Sequence, residues 1–258
     1  MRVISICPSN TELLDYLGMI DKLIAVDDFS DYPESVKRLP KVGPDLSIDM
    51  DKVAELKPDL VLASLSVPGM EKNIEALEQR HIPYIVLNPN SLKDIAKDLK
   101  TVGEAMGEPA LGEQRSVQFK NETASSNVSY RETSEPSLYW EWWPKPVFTP
   151  GRTNWLTEIS ELAGARNVFD TEPEASIQTT WEEVKTRNPD HICLVWVGIQ
   201  EQKMRPELIQ KRPGWNELKA VQEGRIHVLP ESLFCRPSPR LLLGLKKLNH
   251  LLGKDKVL

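Results

Sequence analysis

The sequence predicts an α/β fold of two similar, Rossmann-like lobes with mostly parallel sheets, bridged by a long helical backbone, with a cleft between the lobes. Three observations carry this. Short apolar runs rich in β-branched residues alternate with amphipathic segments, the pattern of βαβ units. A middle stretch keeps helical spacing with almost no turn punctuation. The second half also repeats motifs of the first: Val53…Pro58-Asp59-Leu60-Val61-Leu62 reappears as Val184…Pro189-Asp190-His191-Ile192-Cys193. The boundaries follow as an N-terminal α/β lobe over 1–90, a bridging helical segment over 91–134 and a C-terminal α/β lobe with a closing helix over 135–258.

Taken in order, Val3–Ile6 reads as a strand, and Ser9-Asn10-Thr11-Glu12 offers an N-cap for a helix carrying Leu13, Leu14 and Leu17. Gly18 stops that helix. Leu23–Val26 is the next strand, and Asp51–Leu56 a short helix ending before Pro58. Leu60–Ala63 is an apolar strand of the kind buried on both faces. Glu71–Arg80 is a helix and Tyr84–Leu87 a strand. Leu92, Ile95, Ala96, Leu99, Val102 and Met106 recur at helical spacing, so a helix spans about 91–106. Pro109 predicts a bend or break, and the polar stretch to Thr133 reads as a second surface helix. Beyond Pro136, Leu138–Trp140 is a strand, Trp155–Leu162 a helix stopped by Gly164, and Trp181–Thr186 a short helix. His191–Trp196 and Arg225–Leu229 are strands, and Arg240–Leu252 a closing amphipathic helix.

The composition narrows function. The 258 residues carry a formal net charge of −6, which argues against nucleic acid as a partner, since phosphate binding needs concentrated Lys and Arg. No apolar run approaches the ~18 residues that span a bilayer. The N-terminus reads as a strand and not as a signal peptide, and three widely spaced cysteines suit reduced thiols. The sequence as written is thus expected in the cytoplasm; a trimmed signal would make it extracytoplasmic or membrane-associated. The sequons at Asn121 and Asn127 read as chance. No glycine-rich phosphate loop and no Gly-x-Ser-x-Gly elbow occurs, and His81, His191, His227 and His250 are scattered. No catalytic residue, metal ligand or catalytic cofactor is therefore assigned, and the chain is expected not to be an enzyme.

Two clusters point to binding instead. Asp27-Asp28-Phe29-Ser30-Asp31-Tyr32-Pro33 follows the second strand, where loops of a parallel sheet meet ligands. Trp140-Glu141-Trp142-Trp143-Pro144-Lys145-Pro146 sets Trp140 in the core and Trp142 and Trp143 towards a loop, as a wall for a large flat ligand. Arg152, Asn154 and Trp155 follow at the next helix start.

At these residues the chain resembles the substrate-binding proteins of ABC importers. Ile4-Ser5-Ile6-Cys7-Pro8-Ser9-Asn10-Thr11-Glu12 and Asp28–Pro33 are similar to the cobalamin-binding member. The Asp-x-x-x-Val-x-x-x-x-Pro-Asp-Leu-Val pattern within Leu46–Val61 is shared with iron–siderophore and haem binders. Pro213-Gly214-Trp215-Asn216 and Arg236-Pro237-Ser238-Pro239-Arg240 carry the likeness to about Leu252. The resemblance implies non-catalytic binding of cobalamin or a related corrinoid in the interlobe cleft, for uptake or salvage; the alternatives are an iron–siderophore or haem binder of the same fold and, further off, a metal-dependent enzyme. It implies ligand contacts at Phe29, Tyr32, Trp142, Trp143, Arg152, Ser232, Phe234, Cys235 and Arg236. Phe29 stands where a tyrosine is familiar, and Ser232-Leu233 where an aspartate–tryptophan pair is. It further implies an ABC permease as a possible partner, docking on Glu71 and Glu207, and a monomeric protein.

Overall fold

The computed structural model describes residues 1–126 and 135–253. The second sequon, Asn127-Val128-Ser129, and the end of the bridging segment lie outside the described residues. The chain divides into two compact units, Met1–Asn121 and Glu122–Leu258.

The first unit contains β1 (Val3–Ser5), α1 (Pro8–Leu17), β2 (Leu23–Val26), α2 (Met50–Glu55), β3 (Leu60–Ser64), α3 (Glu71–Gln79), β4 (Tyr84–Leu87) and α4 (Leu92–Ala105). α5 (Pro109–Ser125) runs out of its end. All strand pairings are parallel, in the order β2-β1-β3-β4. α1 begins two residues earlier than a Ser9 N-cap would set it. Pro8 takes the first helical turn, where its missing N–H costs nothing, and Cys7 is the N-cap. Gly18 closes the helix at φ 73°.

The break at Pro109 folds α4 back against α5. Gly103 and Gly112 meet so closely that a Cβ on Gly103 would stand 2.5 Å from the Gly112 Cα. Ser116 Oγ donates to the Ala96 carbonyl at 2.6 Å, and Lys100 pairs with Glu113 at 2.5 Å. The two segments are thus an antiparallel pair.

The second unit contains β5 (Ser137–Glu141), β6 (Trp143–Pro144), β7 (Val147–Pro150), α6 (Trp155–Leu162), β8 (Arg166–Asn167), β9 (Ser176–Thr179), α7 (Trp181–Arg187), β10 (His191–Leu194), α8 (Glu207–Gln210), α9 (Lys219–Gln222), β11 (Ile226–Val228), α10 (Glu231–Phe234) and α11 (Leu241–Leu251). Its parallel sheet runs β11-β10-β5-β8. Counted along the chain, both sheets therefore place their strands in the order second, first, third, fourth. β6, β7 and β9 add an antiparallel sheet that the sequence pattern did not reveal.

The repeated Pro-Asp motif has one physical role in both units. Lys57 and Asn188 leave their helices in the left-handed region, at φ 48° and 46°. Proline then forces extended backbone, and the aspartate latches the start of the neighbouring strand. Asp59 accepts the Arg2 amide at 2.6 Å, and Asp190 the Ser137 amide at 2.8 Å. Each aspartate amide donates back, to Arg2 O at 2.8 Å and to Ser137 O at 3.0 Å.

Candidate functional site

Parallel strands deliver their loops to one edge, so the carboxyl ends of the two sheets are where ligand contacts are sought. In the first unit the loop after β2 is built around Asp27. Its carboxylate accepts Phe29 N at 2.8 Å, Ser30 N at 3.1 Å and the Ser30 hydroxyl. Lys41 Nζ donates to the carbonyls of Asp27 and Ser30 at 3.1 and 2.6 Å. The Asx turn holds the backbone, so Phe29 projects half-exposed (50%) from a fixed base. Tyr32 lies exposed on the same loop, among the exposed carboxylate residues Asp28, Asp31 and Glu34.

Burial raises the Asp27 carboxyl to about 6, against the pull of its Ser30 and Phe29 hydrogen bonds. A folded-state value above the ordinary one means the neutral acid suits the fold better. Its contribution to stability is full below about pH 4 and is lost as pH rises through about 6, a loss on the order of 2–3 kcal/mol. Asp27→Asn should therefore remove a downward step between pH 4 and 6 from the stability curve. Asp98, buried on α4 and raised to about 7, keeps a slope of the same sign in both proteins. Urea unfolding at several pH values gives the comparison, and identical slopes would refute the assignment.

In the second unit Trp140 is fully buried, as its place in β5 requires, and its Nε1 donates to Ser160 Oγ at 2.9 Å. The next two tryptophans separate. Trp143 belongs to β6 and not to a free loop; it is 41% exposed, with Nε1 on the Lys145 carbonyl at 3.0 Å. Trp142 is half-buried and lies 6.1 Å from the Trp155 ring. Its Nε1 is buried without a hydrogen-bond partner.

The remaining expected contacts are placed less openly. Phe234 is fully buried, 5.4 Å from Trp140, and its carbonyl accepts Trp155 Nε1 at 2.8 Å. It is core packing behind the loop, not an exposed wall, because α11 presses on this turn: a Cβ on Gly244 would meet Leu233 O at 2.4 Å. Ser232 is half-buried in α10, and Cys235 Sγ donates to Val195 O at 3.2 Å. Arg236 is buried beside Glu231 at 3.3 Å. Arg152 is exposed, but its guanidinium donates to Asp170 O and Thr171 O at 2.8 and 3.3 Å. Neither arginine stands as an open anion receptor. Glu71 and Glu207 are exposed at the starts of α3 and α8, with Glu71 Oε2 accepting Gly69 N at 2.7 Å.

One cluster was missed from the sequence. Glu141, fully buried at the end of β5, accepts from both terminal guanidinium nitrogens of Arg212 at 2.6 and 2.7 Å, from Tyr139 Oη at 2.8 Å and from Trp196 Nε1 at 3.0 Å. Arg212 lies between the Trp181 and Trp215 rings, 4.8 and 4.5 Å from their centroids. The only hint was a glutamate between tryptophans and an arginine before Pro-Gly-Trp. His191 and His227 also meet, at 3.0 Å between ring nitrogens, and burial lowers His227 to about 4. Among the described residues no group of three or more His, Cys, Asp or Glu is placed to hold a metal ion.

Two α/β units with the same strand order and aromatic loops at their carboxyl edges define a binding protein, and the chain belongs to the Periplasmic binding protein family, which it matches over residues 3–233. It is 30% identical over 250 residues to a vitamin B12-binding protein of Vibrio vulnificus, covering 95% of this chain and 88% of that one. It is equally 30% identical, over 260 residues, to the ABC transporter substrate-binding lipoprotein YvrC of Bacillus subtilis, covering 98% and 80%. The crystal structure of the periplasmic vitamin B12-binding protein of Vibrio cholerae superposes with a TM-score of 0.77 at 25% identity, over 98% of this chain and 96% of that one. A periplasmic heme-binding protein of Roseiflexus shares the fold, with a TM-score of 0.84 at 23% identity over 97% of each chain. Binding of the ABC importer type is thus the function class. The cytoplasmic expectation finds no support among these relatives. No helix among the described residues is long and apolar enough to cross a membrane.

Proposed function

We propose that the chain binds cobalamin or a related corrinoid, without catalysis, and delivers it to an ABC permease. The observation that carries this reading is the pair of large aromatics left open at the carboxyl edges, Phe29 in the first unit and Trp143 in the second. Each supplies apolar area for a flat macrocycle, worth about 25 cal/mol for every Å² removed from water. Phe29, Tyr32, Trp142 and Trp143 are the main contacts, with Arg152 and Ser232 meeting polar side arms. The carboxylates around Phe29 and the engaged arginines favour a ligand without net negative charge over a ferric siderophore or a haem with its propionates. The names of the vitamin B12-binding relatives support the same choice.

Glu71 and Glu207 are proposed to meet the permease, and the protein to act as an extracytoplasmic monomer. The test is one calorimetric series with cyanocobalamin, haemin and a ferric hydroxamate. Saturable micromolar or tighter binding of cyanocobalamin alone is the expected result. Binding of haemin or the hydroxamate with no heat from cyanocobalamin would replace the corrinoid by that ligand.

A further inference from the structure

Trp196 lies two residues beyond β10, at the carboxyl edge that also carries Trp142. Backbone pairing continues past the strands there. Val195 N donates to Glu141 O at 3.0 Å and Val197 N to Trp142 O at 3.1 Å, which sets Trp196 alongside the end of β5. Its indole packs in part on the core that holds Trp215 and leaves the rest open. Nε1 donates to Glu141 Oε1 at 3.0 Å, and that carboxylate is itself fixed by the bidentate Arg212. An aromatic held in one orientation before binding loses little rotamer entropy when a ligand covers it.

We infer that Trp196 is a further ligand-contacting residue of the second unit and that Glu141 is its positioning residue. The inference rests on the corrinoid reading above. Cyanocobalamin is titrated against the wild type, W196L, W196F, W143A, E141Q and the E141Q/W196F double variant, with thermal unfolding in parallel. W196L should weaken binding about tenfold or more, and W196F, which keeps a smaller aromatic ring but loses the N–H, about threefold. Both should melt within about 3 °C of the wild type, because the side chain is only half-buried. E141Q should weaken binding when Trp196 is present and add nothing in the W196F background, while lowering the melting temperature equally in both.

A merely structural Glu141 would instead reduce affinity equally in the two backgrounds, and that result would overturn its positioning role. If the E141Q proteins do not fold, W196L and W196F still decide the contact. Wild-type affinity in W196L beside a loss in W143A would overturn the inference and leave the corrinoid reading standing. A wild-type protein that binds no cyanocobalamin would remove that reading and the inference with it.

Discussion

Replacing Glu141 by leucine is expected to cost the second unit about 3–5 kcal/mol, the usual effect of stranding one partner of a buried ion pair. The side chains of Glu141 and Arg212 are 0% and 5% exposed, so water cannot take over the lost contacts. Four hydrogen bonds end on this carboxylate. Arg212 cannot swing out, because its guanidinium lies between the rings of Trp181 and Trp215. Burial and the neighbouring carboxylate hold the Tyr139 hydroxyl well above its ordinary range, so it remains a neutral donor left without an acceptor. In a unit of this size the loss corresponds to a melting decrease of roughly 10–20 °C. Adding Arg212→Met should recover much of it, since an apolar pair of similar volume removes the stranded charge. A single variant that melts like the wild type would show that the pair is solvated in solution.

The double change Trp142→Ala, Trp143→Ala is expected to weaken cobalamin binding by about 2–4 kcal/mol, the range for aromatic anchors in a desolvated site. The two residues should not contribute alike. Trp143 is open and touches its own hairpin, so Trp143→Ala should lower affinity with little change in melting temperature. Trp142 packs at a tilt against Trp155, whose Nε1 is tied to Phe234 O, so Trp142→Ala should lower affinity and stability together. Calorimetric titration beside thermal unfolding separates the two effects. Intact affinity with a large loss of stability would show that the pair covers its own core and that the contact lies elsewhere. In the wild type, bound cobalamin should also quench tryptophan fluorescence, because the corrin absorbs near the emission.

Much of the scaffold was legible because it depends on local pattern. β2, β4 and α6 have the limits read from their apolar runs, and α4 starts at the Ser91 cap, whose hydroxyl accepts Asp94 N at 3.1 Å. The start of α1 was misread, since a proline at the first helical position outweighed the better capping residues after it. The β6-β7-β9 sheet was missed because β6 has two residues, and β9 pairs with β7 across 25 residues of intervening chain. Exposure within the aromatic loops was legible only in part. Phe29, Trp143 and Phe234 are all expected as ligand contacts, yet Phe29 and Trp143 are open and Phe234 is buried.

By itself, the sequence determined the α/β class and the repeated Pro-Asp motif, because each is written in residues close along the chain; the strand that each aspartate latches lies more than 50 residues away. Strand periodicity, a left-handed exit and a proline followed by aspartate act within a few residues of one another. Tertiary structure alone decided which aromatic became surface and which became core. It also decided that Glu141 and Arg212, 71 residues apart, share one buried site with Trp196. A charge is tolerated inside a protein only where partners from distant segments converge on it, and no local pattern records that convergence. His191 and His227 illustrate the same limit: scattered in sequence, they are neighbours because parallel pairing of β10 with β11 places them 3.0 Å apart.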